Sequence, residues 1–138
     1  MIKIQKEDFS IEDEIQLVKS LHPSVGAVST FIGYVRDLNN KKTVNLITLE
    51  VYQEMALKEF TKIIIKAKEK WQLIDCLIVH RYGDLEINDK IVLVASFSKH
   101  RQDSFESCNY IMNCLKKDAP FWKKENYNNE SEWLQNTK

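Results

Sequence analysis

The sequence predicts an α+β fold, and three observations support that class. Segments of helical periodicity alternate with segments of β-branched residues in the order β-α-β-β-α-β-β-α, with mixed connections. Hydrophobic residues make up 43% of 138 positions, enough for one core. Only three glycines and two prolines punctuate the chain, with no repeat, low-complexity run or linker. One domain over residues 1–138 is therefore expected, with a polar tail from about Asn126.

Each element follows from local pattern. Ile2–Gln5 reads as a short strand. Ser10 is placed to cap a helix, with Asp13 three residues on, and Ile11, Ile15, Val18 and Leu21 repeat at helical spacing until His22-Pro23 ends it. "GAVSTFIGYV" (26–35) reads as a mostly buried strand. Arg36 and a polar loop "DLNNKKT" follow, then the β-branched strand "VNLITLEVY" (44–52). Residues 54–71 carry one apolar stripe of Ala56, Phe60, Ile63, Ile64, Ala67 and Trp71, the mark of an amphipathic helix. "IDCLIVHRY" reads as a strand, Gly83 as a turn, and "KIVLVASFS" (90–98) as another strand. A third helix is expected from about Asp103 to Asp118, with Phe105, Cys108, Met112 and Leu115 facing the core and Pro120 as its stop.

Composition narrows the function. Lys plus Arg is 20 and Asp plus Glu is 20, so the formal net charge is zero, which argues against a nucleic-acid-binding protein. The longest apolar runs, such as "IVLVA" at 91–95, fall short of the roughly 18 residues of a membrane span. "MIKIQKEDFS" has no apolar signal core, so a cytoplasmic protein is expected. Cys76, Cys108 and Cys114 match no zinc spacing and read as buried thiols; no metal or cofactor is expected.

Four places concentrate cations beside apolar anchors. Arg36 sits where a strand gives way to a loop. His100 and Arg101 immediately precede a helix start, where free N–H groups and the helix dipole favour an anion. On the third helix, with Phe105 at zero and about 100° per residue, Met112 falls at about −20°, Lys116 at about +20° and Lys117 at about 120°. Lys116 thus borders the apolar stripe while Lys117 points to solvent. Lys123 follows "APFW", where Phe121 and Trp122 can anchor a turn in the core. Taken singly, each position reads equally well as ordinary surface charge, with Asp103 or Ser104 capping the helix. Taken together, these cations on a neutral chain suggest a pocket for a small phosphate-bearing substrate.

These segments resemble the MoaE family, the large catalytic subunit of molybdopterin synthase. The resemblance covers most of the chain and is carried by "GAVSTFIGYVRD" (26–37), "ITLEVY" (47–52), "IVHRYGDLEINDKIVLVASFSKHRQDSFES" (78–107) and "YIMNCLKKDAPFWKKE" (110–125). It implies an α/β-hammerhead type of fold with about three helices. It also implies a sulfurtransferase that converts cyclic pyranopterin monophosphate (precursor Z) to the dithiolene of molybdopterin. Sulfur would arrive as the C-terminal Gly-Gly thiocarboxylate of a small ubiquitin-like (MoaD-like) subunit, with two large subunits forming a homodimer inside a heterotetramer. On the same footing, Arg36, His100 and Arg101 match residues that bind the pterin phosphate or line its pocket. Lys116 matches the lysine nearest the partner tail, Lys123 a second essential lysine, and Lys124 and Glu125 positions beside the pterin.

Two positions depart from the family pattern. Tyr34 stands where a lysine is common, and Trp133 is followed by "LQNTK", with only Lys138 cationic where the family can supply a cross-subunit arginine. The same pocket without catalysis would make a binding module for a phosphorylated metabolite. Trp122, Phe121 and the lysines would suit single-stranded nucleic acid only against the zero net charge.

Overall fold

A computed structural model describes the backbone of residues 1–39, 42–43, 46–127 and 130–134, and the side chains of 1–37 and 46–123. The order is β1 (Ile2–Gln5), α1 (Ile11–Leu21), β2 (Ala27–Tyr34), β3 (Leu38–Asn39), β4 (Lys42–Thr43), β5 (Leu46–Val51), α2 (Gln53–Lys70), β6 (Asp75–Arg81), β7 (Gly83–Glu86), β8 (Lys90–Ser98), α3 (Arg101–Asp118), β9 (Phe121–Tyr127) and β10 (Glu130–Leu134). One sheet runs β1-β6-β8-β2, with β1 parallel to β6 and the other neighbours antiparallel. A second, antiparallel sheet runs β10-β9-β5-β7, and β3 pairs with β4. This is the α+β class that the sequence predicts.

The central strand β6 shows how the first sheet is buried on both faces. Side chains alternate across a strand. Cys76 and Ile78 join Phe60, Ile63 and Ala67 of α2 and Ile111 and Leu115 of α3. Leu77 and Val79 join Phe9 and Val18 on the α1 side. Ile47, Leu49 and Leu85 of the second sheet form a smaller cluster with Val35. Ser10 caps α1 as expected, its Oγ accepting from the Asp13 amide at 3.2 Å.

Three expectations are corrected. The chain beyond Pro120 forms the β9–β10 hairpin where an anchored turn, and a polar tail from about Asn126, are expected. Neither segment is β-branched; pairing with β5 makes β9 a strand, a tertiary contact overriding local propensity. Gly83, expected as a turn, opens β7 with φ of 89°, and the chain there leaves the first sheet for the second. The third correction concerns α3. Its buried face is Ser104, Ser107, Cys108, Ile111 and Leu115, and Phe105 is 65% exposed. Small serines let the helix lie close on β2 and β8, which turns the larger Phe105 about 100° out of the core.

Candidate active site

The two ends of α3 carry different cations and are held by different means. At the first end, β8 closes with Ser98, whose carbonyl accepts from the Gly26 amide at 2.9 Å. A Cβ at Gly26 would drive into the Lys99 carbonyl, so this close approach requires glycine. Ser98 Oγ donates to the His100 carbonyl at 2.6 Å. Ser104 Oγ donates to the Arg101 carbonyl and meets Ser29 Oγ, both at 3.0 Å. Neither Asp103 nor Ser104 is the cap. His100 occupies that position without a side-chain cap bond, and α3 begins at Arg101, two residues earlier than expected. The first-turn amides are therefore uncapped by a side chain beside exposed His100 and Arg101, a setting suited to an anion.

Along α3 runs a groove of about 610 Å³, whose walls include Thr30 and Phe31 of β2 and Phe105, Asn109 and Met112 of α3, with Lys116 towards the end of the helix. The Phe105–Met112–Lys116 stripe read from the sequence is real, but it lines a groove at the edge of the core, with only Met112 of the three also packed on the core. Phe31, itself 41% exposed, and Asn109 are site residues that the sequence does not mark; Asn109 has only its helical position beside that stripe, and Phe31 of β2 has no signal. Lys117 is exposed, as its helical angle requires.

The second end turns sharply. The Ala119 amide donates to the Leu115 carbonyl at 3.2 Å and the Phe121 amide to the Ala119 carbonyl at 2.9 Å. Phe121 is buried against Phe60 and His80. Trp122 is 43% exposed and meets Tyr52 edge-on at 4.9 Å, so it is no core anchor. Strand alternation explains the difference. Phe121 pairs with Val51 and Lys123 with buried Leu49, whereas Trp122 pairs with exposed Glu50. Lys123 is accordingly half-buried.

One copy of the chain does not bring all five expected cations together. Arg101 and Lys116 are fifteen residues apart on one helix, about 22 Å along its axis. Ala27 pairs with Ser98 and Tyr34 with Lys90, so Arg36, beyond Tyr34, lies about 24 Å or more along β2 from the His100 end. Lys116 and Lys123 flank the same Ala119–Pro120 turn. Lys124 pairs in register with Thr48 and Glu125 with Ile47, but their side chains, and Lys138 altogether, lie outside the described residues. Tyr34 is half-exposed at the end of β2. Among the described residues no His, Cys, Asp or Glu cluster could hold a metal ion, and no helix is long and apolar enough to cross a membrane. Burial pushes the Cys76 thiol up to about 12 and the Cys108 thiol to about 11.

The family model described as MoaE protein matches residues 4–118. The molybdopterin synthase catalytic subunit of Ralstonia nicotianae is 43% identical over 133 residues, 96% of this chain and 76% of that protein. The solved MoaE protein from Burkholderia ambifaria superposes with a TM-score of 0.87 at 40% identity, covering 100% of this chain and 90% of that one. The crystal structure of molybdopterin synthase from Staphylococcus aureus gives 0.89 at 32% identity, covering 96% of each chain. The matched model begins in the first strand and ends with α3, so sequence and architecture agree that the chain belongs to the MoaE family.

Proposed function

We propose that the chain is the catalytic subunit of a molybdopterin synthase. It transfers sulfur from the C-terminal thiocarboxylate of a small ubiquitin-like subunit to precursor Z, forming the dithiolene of molybdopterin. The observation that carries this reading is the groove beside α3 with Lys116 towards its end and Lys123 just beyond the following turn. An extended Gly-Gly tail, a slim backbone with no side chains to place, suits a groove with apolar and amide walls. A cation at its end suits the terminal thiocarboxylate. Each of the two sulfurs comes from its own thiocarboxylate tail: sulfur bonds to a side-chain carbon of the pterin, the oxygen it replaces leaves as water or as the freed phosphate oxygen, and the tail is left as a thioester. Water attack on that acyl carbon develops an oxyanion that either lysine can stabilise, and release returns the tail as a carboxylate. The two lysines also supply protons to the pterin side chain.

The 22 Å span of α3 bears on the assembly. His100 and Arg101, the anion-binding end, cannot meet a phosphate that is also beside Lys116 of the same chain. In the proposed homodimer, the second copy brings its own His100 and Arg101 to the first copy's lysines. The reading is tested by mixing the protein with a thiocarboxylated small subunit and precursor Z and detecting the dithiolene pterin as its oxidised fluorescent derivative. Product from the wild type and none from Lys116→Ala is expected. No product from folded wild type with a competent partner would overturn the reading.

A further inference from the structure

We infer that buried His80 is a positioning residue for Lys123. This rests on the proposed role of Lys123 and adds a residue to that site. His80 lies on β6 with no solvent exposure, in the row of Cys76 and Ile78, where the alternation calls for an apolar side chain. Its ring lies nearly flat on Phe121, with centroids 3.8 Å apart and planes 23° apart, and Phe60 flanks both rings at 6.2 Å. Phe121 is the first residue of β9, and Lys123 stands two residues on, on the same side of that strand, about 7 Å along it.

The same imidazole holds a second crossing between the sheets. Its Nδ1 is 2.8 Å from the Arg81 carbonyl. A carbonyl only accepts, so Nδ1 carries the proton. Arg81 is buried, its Nε donating to the Lys6 carbonyl and its guanidinium to the Lys90 carbonyl, both at 3.0 Å. Directly beyond it, Gly83 opens β7, which pairs with β5, and β5 pairs with β9 at Leu49 opposite Lys123. One ring therefore touches two of the crossings from the first sheet into the second: the Arg81–Gly83 corner and the Ala119–Phe121 turn. A leucine or isoleucine would fill the volume. It would offer neither the flat face to Phe121 nor the donor to Arg81. His80 thereby fixes where β9 starts relative to α3, and so where Lys123 stands relative to Lys116.

The test compares His80→Ala with His80→Phe, which restores a flat ring without the Nδ1 donor, under conditions where both remain folded by circular dichroism. Acetylation of each lysine by N-hydroxysuccinimidyl acetate is followed residue by residue by mass spectrometry. In His80→Ala, the Lys123 rate is expected to change several-fold relative to Lys62 and Lys117, and His80→Phe is expected to return it to within about twofold. In the sulfur-transfer assay, kcat is expected to fall at least about tenfold in His80→Ala with KM for the pterin little changed, and to recover in large part in His80→Phe. Equal rate changes at all three lysines, or a Lys123 rate and a kcat in His80→Ala both within about twofold of the wild type, would overturn the inference. The wild type in the same assay reports on the function itself, whereas the lysine rates report on position whether or not turnover is seen.

Discussion

The two ends of α3 solve the same problem, fixing a cation beside a helix terminus, in opposite ways. At His100–Arg101 the supports are small: Gly26 against the Lys99 carbonyl, and Ser29, Ser98 and Ser104 hydrogen-bonded beneath the first turn. At Lys116–Lys123 the supports are large: Phe60, His80 and Phe121 packed ring to ring. The small-residue end brings backbone close and leaves amides facing outward, which suits a phosphate. The aromatic end fixes side chains two residues downstream, which suits placing a proton-handling lysine. About 22 Å of helix keeps the two apart, so each end reads as half of a site.

The sharpest way to break this contrast is to remove a lysine. Lys116 is exposed, so Lys116→Ala should leave the melting temperature within a few degrees while product formation falls by roughly a hundredfold or more. A large melting shift would mean that the residue serves the fold instead. Next comes the aromatic support. Phe121→Ala removes a buried ring from the stack and should cost about 3–5 kcal/mol in urea unfolding, whereas exposed Trp122→Ala should cost about 1 kcal/mol or less. Equal costs would contradict the strand alternation that separates the two neighbours. At the other end, Gly26→Ala should displace the Lys99 carbonyl, destabilise by about 1–3 kcal/mol, and weaken pterin phosphate binding more than it slows turnover at saturation. Calorimetric titration with precursor Z would show this.

A last effect concerns the thiols. Cys76 and Cys108 are raised from 9.0 to about 12 and about 11 by burial, so the folded protein holds their protons where the unfolded chain loses them. Stability from this source is full below about pH 9 and is lost progressively as pH rises towards 11–12. Unfolding measured between pH 8 and 10.5 checks the sign. Thiols so held are poor sulfur carriers, in keeping with sulfur arriving on a partner.

What the sequence made legible follows the same contrast. Periodicity located the three helices and the apolar strands, because those segments are chosen for burial. Lys116 could be told from Lys117 because 100° per residue separates neighbours whatever they pack on. Three features were hidden. Phe105 is misplaced by the pattern because two small serines, Ser104 and Ser107, begin the buried face of α3 that Ile111 and Leu115 continue. β9 and β10 are hidden behind an expected anchored turn and a polar tail from about Asn126, because the strand state of β9 comes from pairing with β5 and that of β10 from pairing with β9, not from their own residues. The wide separation of Arg101 and Lys116 was available in principle from helix rise alone, yet five cations on a neutral chain suggested one pocket. Only the α3 rise and the β2–β8 register show that they occupy opposite ends.

The most direct test of two half-sites is complementation between copies. Arg101→Ala and Lys116→Ala, each inactive alone, are co-expressed so that mixed dimers form, and dithiolene production is compared with wild type. If each site takes its lysines from one copy and its His100–Arg101 end from the other, half of the dimers are mixed and each holds one intact site, restoring about a quarter of the activity. A mixture as inactive as either parent, with mixed dimers demonstrated, would contradict the shared site.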